Sequence, residues 1–141
     1  MNLSEHFTLD ELTHTDHREL DNTPNAAEIE NLKRLAAMLE QVRAACGRAI
    51  LVNSAFRSAE VNKAVGSTDR SQHRIGCAAD IRVPEMTPDQ VVKAVMDAKL
   101  PFDQLIREFD RWTHISIPNT PDAKPRGQVL IIDKQGTRPY A

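Results

Sequence analysis

Apolar positions along the chain alternate between stretches with a helical period and shorter extended runs. Thr8-Leu9-Asp10-Glu11 matches a capping box, a threonine cap with a glutamate three residues on, and predicts a short first helix. The polar stretch from Thr13 to Pro24 predicts a loop. The clearest period comes next: Asn25-Ala26-Ala27-Glu28 repeats the capping signature, and Ile29, Leu32, Leu35, Ala36, Leu39 and Val42 follow at helical spacing. That stripe leaves Glu30, Lys33, Arg34 and Glu40 for water. Gly47 sits where a helix end favours a residue tolerant of positive φ. Ser58 caps a short helix through Asn62 and Val65 that Gly66 stops. Thr87-Pro88-Asp89-Gln90 opens another, with proline at its first position and Val91, Val92 and Val95 facing inward.

The extended runs lie between and after these helices. Ala49 to Asn53 predicts a strand, and the polar segment from Gly66 to Arg74 a loop. Cys77 to Val83 predicts a second strand, with Ile81 and Val83 on one face and Ala78 and Asp80 on the other. Phe102 to Phe109 and Trp112 to Ile117 predict two strands joined by a tight turn at Asp110-Arg111, a connection short enough to require antiparallel pairing. Pro118 to Gly127 predicts a loop, and Val129 to Ile132 a final strand before a polar tail at 133–141. Helices come early and strands are joined by hairpins. The pattern therefore predicts an α+β fold over residues 1–141, one domain with a central antiparallel sheet and flanking helices, in which 1–24 form the N-terminal helix and loop.

Composition narrows the function classes. A length of 141 residues suits one domain with a real core. A net charge of -2 gives no general attraction to nucleic acid or anionic lipid. No apolar run approaches a bilayer's thickness, and the residues from Met1 to His6 lack the basic and apolar regions of a secretory signal. The expectation is a monomer made in the cytoplasm, with neither a membrane nor nucleic acid as partner. Two cysteines, Cys46 and Cys77, do not make a disulfide framework and read as small packing residues.

Of the five histidines, His6, His14 and His17 lie in the polar N-terminal region and read as solvent-exposed. His73 closes a polar loop just before a strand whose Asp80 lies opposite the apolar face. His114 stands within a hairpin strand that is otherwise apolar or aromatic. Two histidines and one carboxylate match the three protein ligands of a catalytic zinc, which keeps one position open. Spacing alone does not establish such a site, because an aspartate and two distant histidines also coincide by chance.

The surrounding residues add more. Ser71-Gln72-His73-Arg74-Ile75-Gly76-Cys77-Ala78-Ala79-Asp80 fits the pattern S-x-H-x-x-G-x-A-x-D. Together with Glu108, Trp112-Thr113-His114-Ile115-Ser116 and the upstream Ser54-Ala55-Phe56-Arg57-Ser58, it resembles the zinc D-Ala-D-Ala carboxypeptidase family, peptidase M15, whose cell-wall peptidases include phage endolysins. Asn62 and Gly66 also fall where that family has an asparagine and a glycine, so the resemblance runs from about Phe7 to Ile132. It implies the fold shared by these peptidases and the hedgehog signalling domain, and one zinc ion held by His73, Asp80 and His114. It further implies hydrolysis of a peptide bond in the peptidoglycan stem, by a carboxypeptidase or an endopeptidase.

In that reading Glu108 is the catalytic base, with Asp110 as the alternative, because some relatives place their acid three residues before the last histidine, where this chain has Arg111. Arg57 would bind substrate or stabilise the oxyanion, Ser71 and Trp112 would contact substrate, and Gly76 would allow a tight turn between ligands. Plainer readings stand beside these: a solvated Glu108, a surface ion pair for Arg57, a loop-tying Ser71, and a wall or core role for Trp112. Ser116 is read as orienting a ligand, and Gln72 has no assignment. Two further functions share the same fold: an inactive zinc-bearing binding module, and a phage structural component.

Overall fold

The computed structural model describes residues 1–140. Its frame is a six-stranded sheet of β1 (Leu51–Ser54), β2 (Ala78–Arg82), β3 (Gln104–Glu108), β4 (Trp112–Ser116), β5 (Gln128–Asp133) and β6 (Gly136–Pro139), in the order β1-β2-β4-β3-β5-β6. Among the described residues four α-helices accompany it: α1 (Leu9–Leu12), α2 (Ala26–Cys46), α3 (Ala59–Ala64) and α4 (Pro88–Asp97). The expected α+β class is what forms. Among the described residues no helix is long and apolar enough to cross a membrane.

The helix starts follow the local chemistry of their caps. Thr8, Asn25 and Thr87 each close a capping box with Glu11, Glu28 and Gln90, which satisfies backbone N–H groups that a helix start leaves orphaned. Ser58 caps α3, and Gly47 ends α2 at φ 67°. One face of the sheet packs on α2 and α4. Leu32, Leu35, Ala36, Leu39 and Val42 of α2 and Val91, Val92 and Val95 of α4 are buried with Ala79, Ile81, Leu105 and Ile115. Each large apolar side chain withdrawn from water contributes about 1.5–3 kcal/mol.

Several expectations need correction. The sheet is not wholly antiparallel, since β3 and β5 run parallel, with Gln104 opposite Gln128. The route of the chain explains it. β4 ends beside the start of β3, where Asp103 N–H donates to Ser116 O, so a chain crossing β3 at that end must begin β5 level with it. Arg126 fixes the crossing with its backbone N–H and two guanidinium nitrogens, all on the Asp103 carboxylate at 2.7–3.0 Å.

The polar tail expected at 133–141 instead contains β6, an edge strand on β5. Backbone pairing, the Arg138–Asp133 ion pair and a hydrogen bond from Tyr140 to Asp89 hold it in place of an apolar face. The loop expected from Gly66 to Arg74 ends in a 3-10 turn, Gln72–Ile75. Arg34 and Glu40, assigned to water, are half-buried. Arg34 donates to Pro118 O, and Glu40 accepts from Ser4 and His6.

The β3–β4 turn is one residue earlier than expected. Glu108 pairs with Trp112, and the loop between them places both Phe109 (φ 54°) and Asp110 (φ 53°) in the left-handed region. Two successive left-handed residues match the twist of a hairpin. For a bulky side chain such a φ costs on the order of 1–3 kcal/mol.

Candidate metal centre

Strand register builds the centre. Asp80 of β2 lies directly opposite His114 of β4, and His114 lies opposite Ile106 of β3. Side chains alternate across a strand, so Asp80, His114 and Glu108 share the sheet face turned away from α2 and α4. The neighbours one residue along, Ala79, Ile81 and Ile115, fill the core on the other face.

His73 arrives from outside the sheet. Ser71 caps the 3-10 turn by accepting from His73 N, and Gly76 ends it at φ 82°. A Cβ at Gly76 would meet Glu28 O at 3.0 Å and Leu32 Cγ at 3.1 Å, so glycine is required both by conformation and by the close approach of α2. The strand-end segment is stitched to this turn twice: Arg57 N donates to His73 O at 2.9 Å, and His73 Nδ1 meets Ala55 O at 2.7 Å. A carbonyl oxygen only accepts, so Nδ1 carries the proton and the Nε2 lone pair faces Asp80. Burial favours this neutral form by pushing the His73 pKa down.

The three donor groups converge. His114 Nδ1 lies 2.9 Å and His73 Nε2 3.4 Å from Asp80 Oδ1, and the whole set fits within 4.8 Å. Tetrahedral zinc, with bonds of about 2.0–2.2 Å, spaces its donors about 3.3 Å apart. The residues therefore fit a metal ion: two imidazoles, one carboxylate, one tautomer fixed by a backbone carbonyl, and little solvent. Cys77 is not among them. Its thiol is buried on the core side, near Arg34.

Around the donors lies a cavity of about 250 Å³ lined by Arg57, Ser67, Ser71, His73, Asp80, Glu108, Trp112 and His114. Arg57, Ser71, His73, Asp80, Glu108, Trp112 and His114, all expected in the site, thus border one hollow, whereas Asp110 and Ser116 do not. Arg57 reaches Ser54 Oγ, Asn62 Oδ1 and Asp80 Oδ2 only at 3.3–3.4 Å, long contacts that leave its guanidinium able to take a further anion. Burial lowers its pKa, against the charges of Asp80 and Glu108. Burial, and then the charge of Asp80, push the Glu108 carboxyl up from its ordinary value. Asp110, the alternative base, instead sits at an exposed turn with its carboxylate 3.1 Å from Arg107, whose side chain reaches toward Asp89 of α4.

Some roles differ from expectation. The Ser116 hydroxyl, expected to orient a ligand, accepts from Gln104 N at the start of β3. Gln72 is structural, because its side-chain amide donates to Ile117 O and Asn119 Oδ1 and ties the His73 turn to the loop after β4. Ser67, which sequence reasoning missed, lines the cavity. A serine in a polar loop carries no signal that would mark it. Trp112 combines the wall role with a hydrogen bond from its indole Nε1 to Glu108 Oε2 at 3.0 Å.

Comparison with curated proteins finds no match. A family model described as Peptidase M15 matches residues 5–116, a stretch that contains every residue lining the cavity and stops short of β5 and β6. The match covers well over half of the sequence, and the chain belongs to the peptidase M15 family, a family of metallopeptidases.

Proposed function

We propose that the chain is a zinc peptidase of the bacterial cell wall, hydrolysing a peptide bond in the peptidoglycan stem as a D-Ala-D-Ala carboxypeptidase or endopeptidase. The observation that carries this reading is the convergence of His73, Asp80 and His114 in a cavity that also holds a carboxylate and a guanidinium. Zinc on those three residues supplies Lewis acidity, polarising a carbonyl and bringing water's pKa toward neutrality.

The remaining groups divide the work. Glu108 takes the proton of the attacking water and returns it to the departing amine, a role that its raised pKa suits. Arg57 holds negative charge, either the oxyanion or a substrate carboxylate, with charge that persists at every physiological pH. Ser71 and Trp112 border the substrate's path. An inactive binding module is disfavoured by Glu108, which lines the cavity instead of turning to solvent.

The test is digestion of purified peptidoglycan by zinc-loaded protein, with released fragments identified by mass spectrometry. Released D-alanine or separated crosslinks are expected. Glu108→Gln should be slower by about 10²–10⁴-fold. A protein that binds one zinc tightly and cleaves nothing would be the binding module instead.

A further inference from the structure

Trp112 and Glu108 face each other on the rung of the hairpin nearest its turn, and the indole N–H donates to Glu108 Oε2 at 3.0 Å. On the turn side, the Phe109 ring lies against Trp112, with centroids 6.2 Å apart and planes tilted by 44°. Phe109 is an odd choice for that position. Its φ of 54° disfavours a bulky side chain, and the residue is 46% exposed, so neither backbone preference nor burial explains it. Asparagine or glycine would serve the turn better. What phenylalanine adds is an aromatic face behind the indole.

We propose that Trp112, backed by Phe109, is a positioning pair for Glu108. The indole N–H holds Oε2 and leaves Oε1 as the oxygen that handles the proton. A glutamate side chain turns freely about its last torsion, and a carboxylate that must receive and return a proton gains from one oxygen being fixed by a rigid donor. The hairpin supplies that donor from the adjacent strand and holds it with a strained aromatic residue at its tip. Strain is tolerated where function requires a fixed geometry. The inference rests on the reading of Glu108 as the proton carrier.

Steady-state kinetics on a soluble stem-peptide substrate, with zinc-loaded variants held well below their unfolding midpoints, test it. Trp112→Phe keeps an aromatic ring and removes the N–H. Its kcat is expected to fall about 10- to 100-fold with KM nearly unchanged, the range seen when a supporting hydrogen bond is lost. Phe109→Asn should raise the thermal midpoint by relieving the backbone while lowering kcat, a pairing that a merely structural residue does not give. Combining Trp112→Phe with Glu108→Gln should be no slower than Glu108→Gln alone, because the indole acts only through the carboxylate. A raised KM at unchanged kcat in Trp112→Phe would make the indole a substrate contact and overturn the proposal, as would additive losses in the double variant. Full activity in Glu108→Gln would remove the underlying reading of Glu108 itself, a result distinguishable from either of these.

Discussion

The two faces of β2 and β4 are built from adjacent residues and follow opposite rules. Ala79, Ile81 and Ile115 turn toward α2 and α4 and are almost wholly withdrawn from solvent with other apolar groups. Asp80 and His114, one position along, turn the other way and are nearly as buried, yet they surround themselves with charge and hydrogen bonds. On the helix face, apolar area and close packing decide what is tolerated. On the cavity face, donor geometry does. The same pair of strands therefore carries a stability surface and a chemistry surface separated by a single residue step.

The largest separation between the two faces should come from Asp80→Asn, which keeps the shape and removes the charge. On the proposed zinc reading, losing the Asp80 carboxylate as a ligand would forfeit several kcal/mol of transition-state stabilisation, roughly a thousandfold in rate. Zinc content measured after dialysis should fall with it. The unfolding midpoint of the metal-free chain should fall, but by less than in a core truncation, because an amide still hydrogen-bonds within the cluster and Glu108 remains as a counter-charge for Arg57. If the metal-free variant loses as much stability as a core truncation, the cavity face is part of the folding core and the contrast fails.

Leu39→Ala gives the converse. Leu39 is fully buried on α2, and removing it leaves a cavity that costs about 2–5 kcal/mol. Urea unfolding should show that loss, while zinc stoichiometry and turnover per folded molecule stay at the parent level. A drop in kcat without a matching drop in folded fraction would show that the helix face transmits its packing to the donors.

Much of this division was legible in the sequence, for a physical reason. Capping is local, so Thr8, Asn25 and Thr87 marked their helices unaided. Strand alternation is also local, and it separated Asp80 from Ile81 before any partner strand was known. What stayed hidden depended on distant partners. The polarity of β6 concealed a strand that is held by backbone pairing rather than by an apolar face. The parallel β3–β5 pair followed from the route of a loop anchored by Asp103 and Arg126. The contact between Trp112 and Glu108 required the hairpin register, which a turn placed one residue late would have broken. The 3-10 turn of His73 has too few residues to show a period.

The smallest expected effect lies on the outer side of α2, where neither rule applies fully. Glu40 accepts hydrogen bonds from Ser4 Oγ, His6 N and His6 Nδ1 at 2.6–2.7 Å and ties the N-terminal segment to the helix. Burial alone would raise its pKa, but the bonds from Ser4 and His6 outweigh that and lower it from 4.5 to about 2. A carboxyl depressed in the folded state stabilises the protein above its unfolded pKa, and that contribution drains away as pH falls from about 4.5 toward about 2. With part of the carboxylate open to solvent, screening should keep the whole effect below about 1 kcal/mol. Thermal midpoints of the parent and Glu40→Gln, followed from neutral pH into acid, should differ by a nearly constant gap above about pH 5 and converge below it. A gap that persists unchanged into acid would mean that the N-terminal segment is held by the packing of Phe7 in the core, so that even this polar margin of α2 obeys the rule of the helix face.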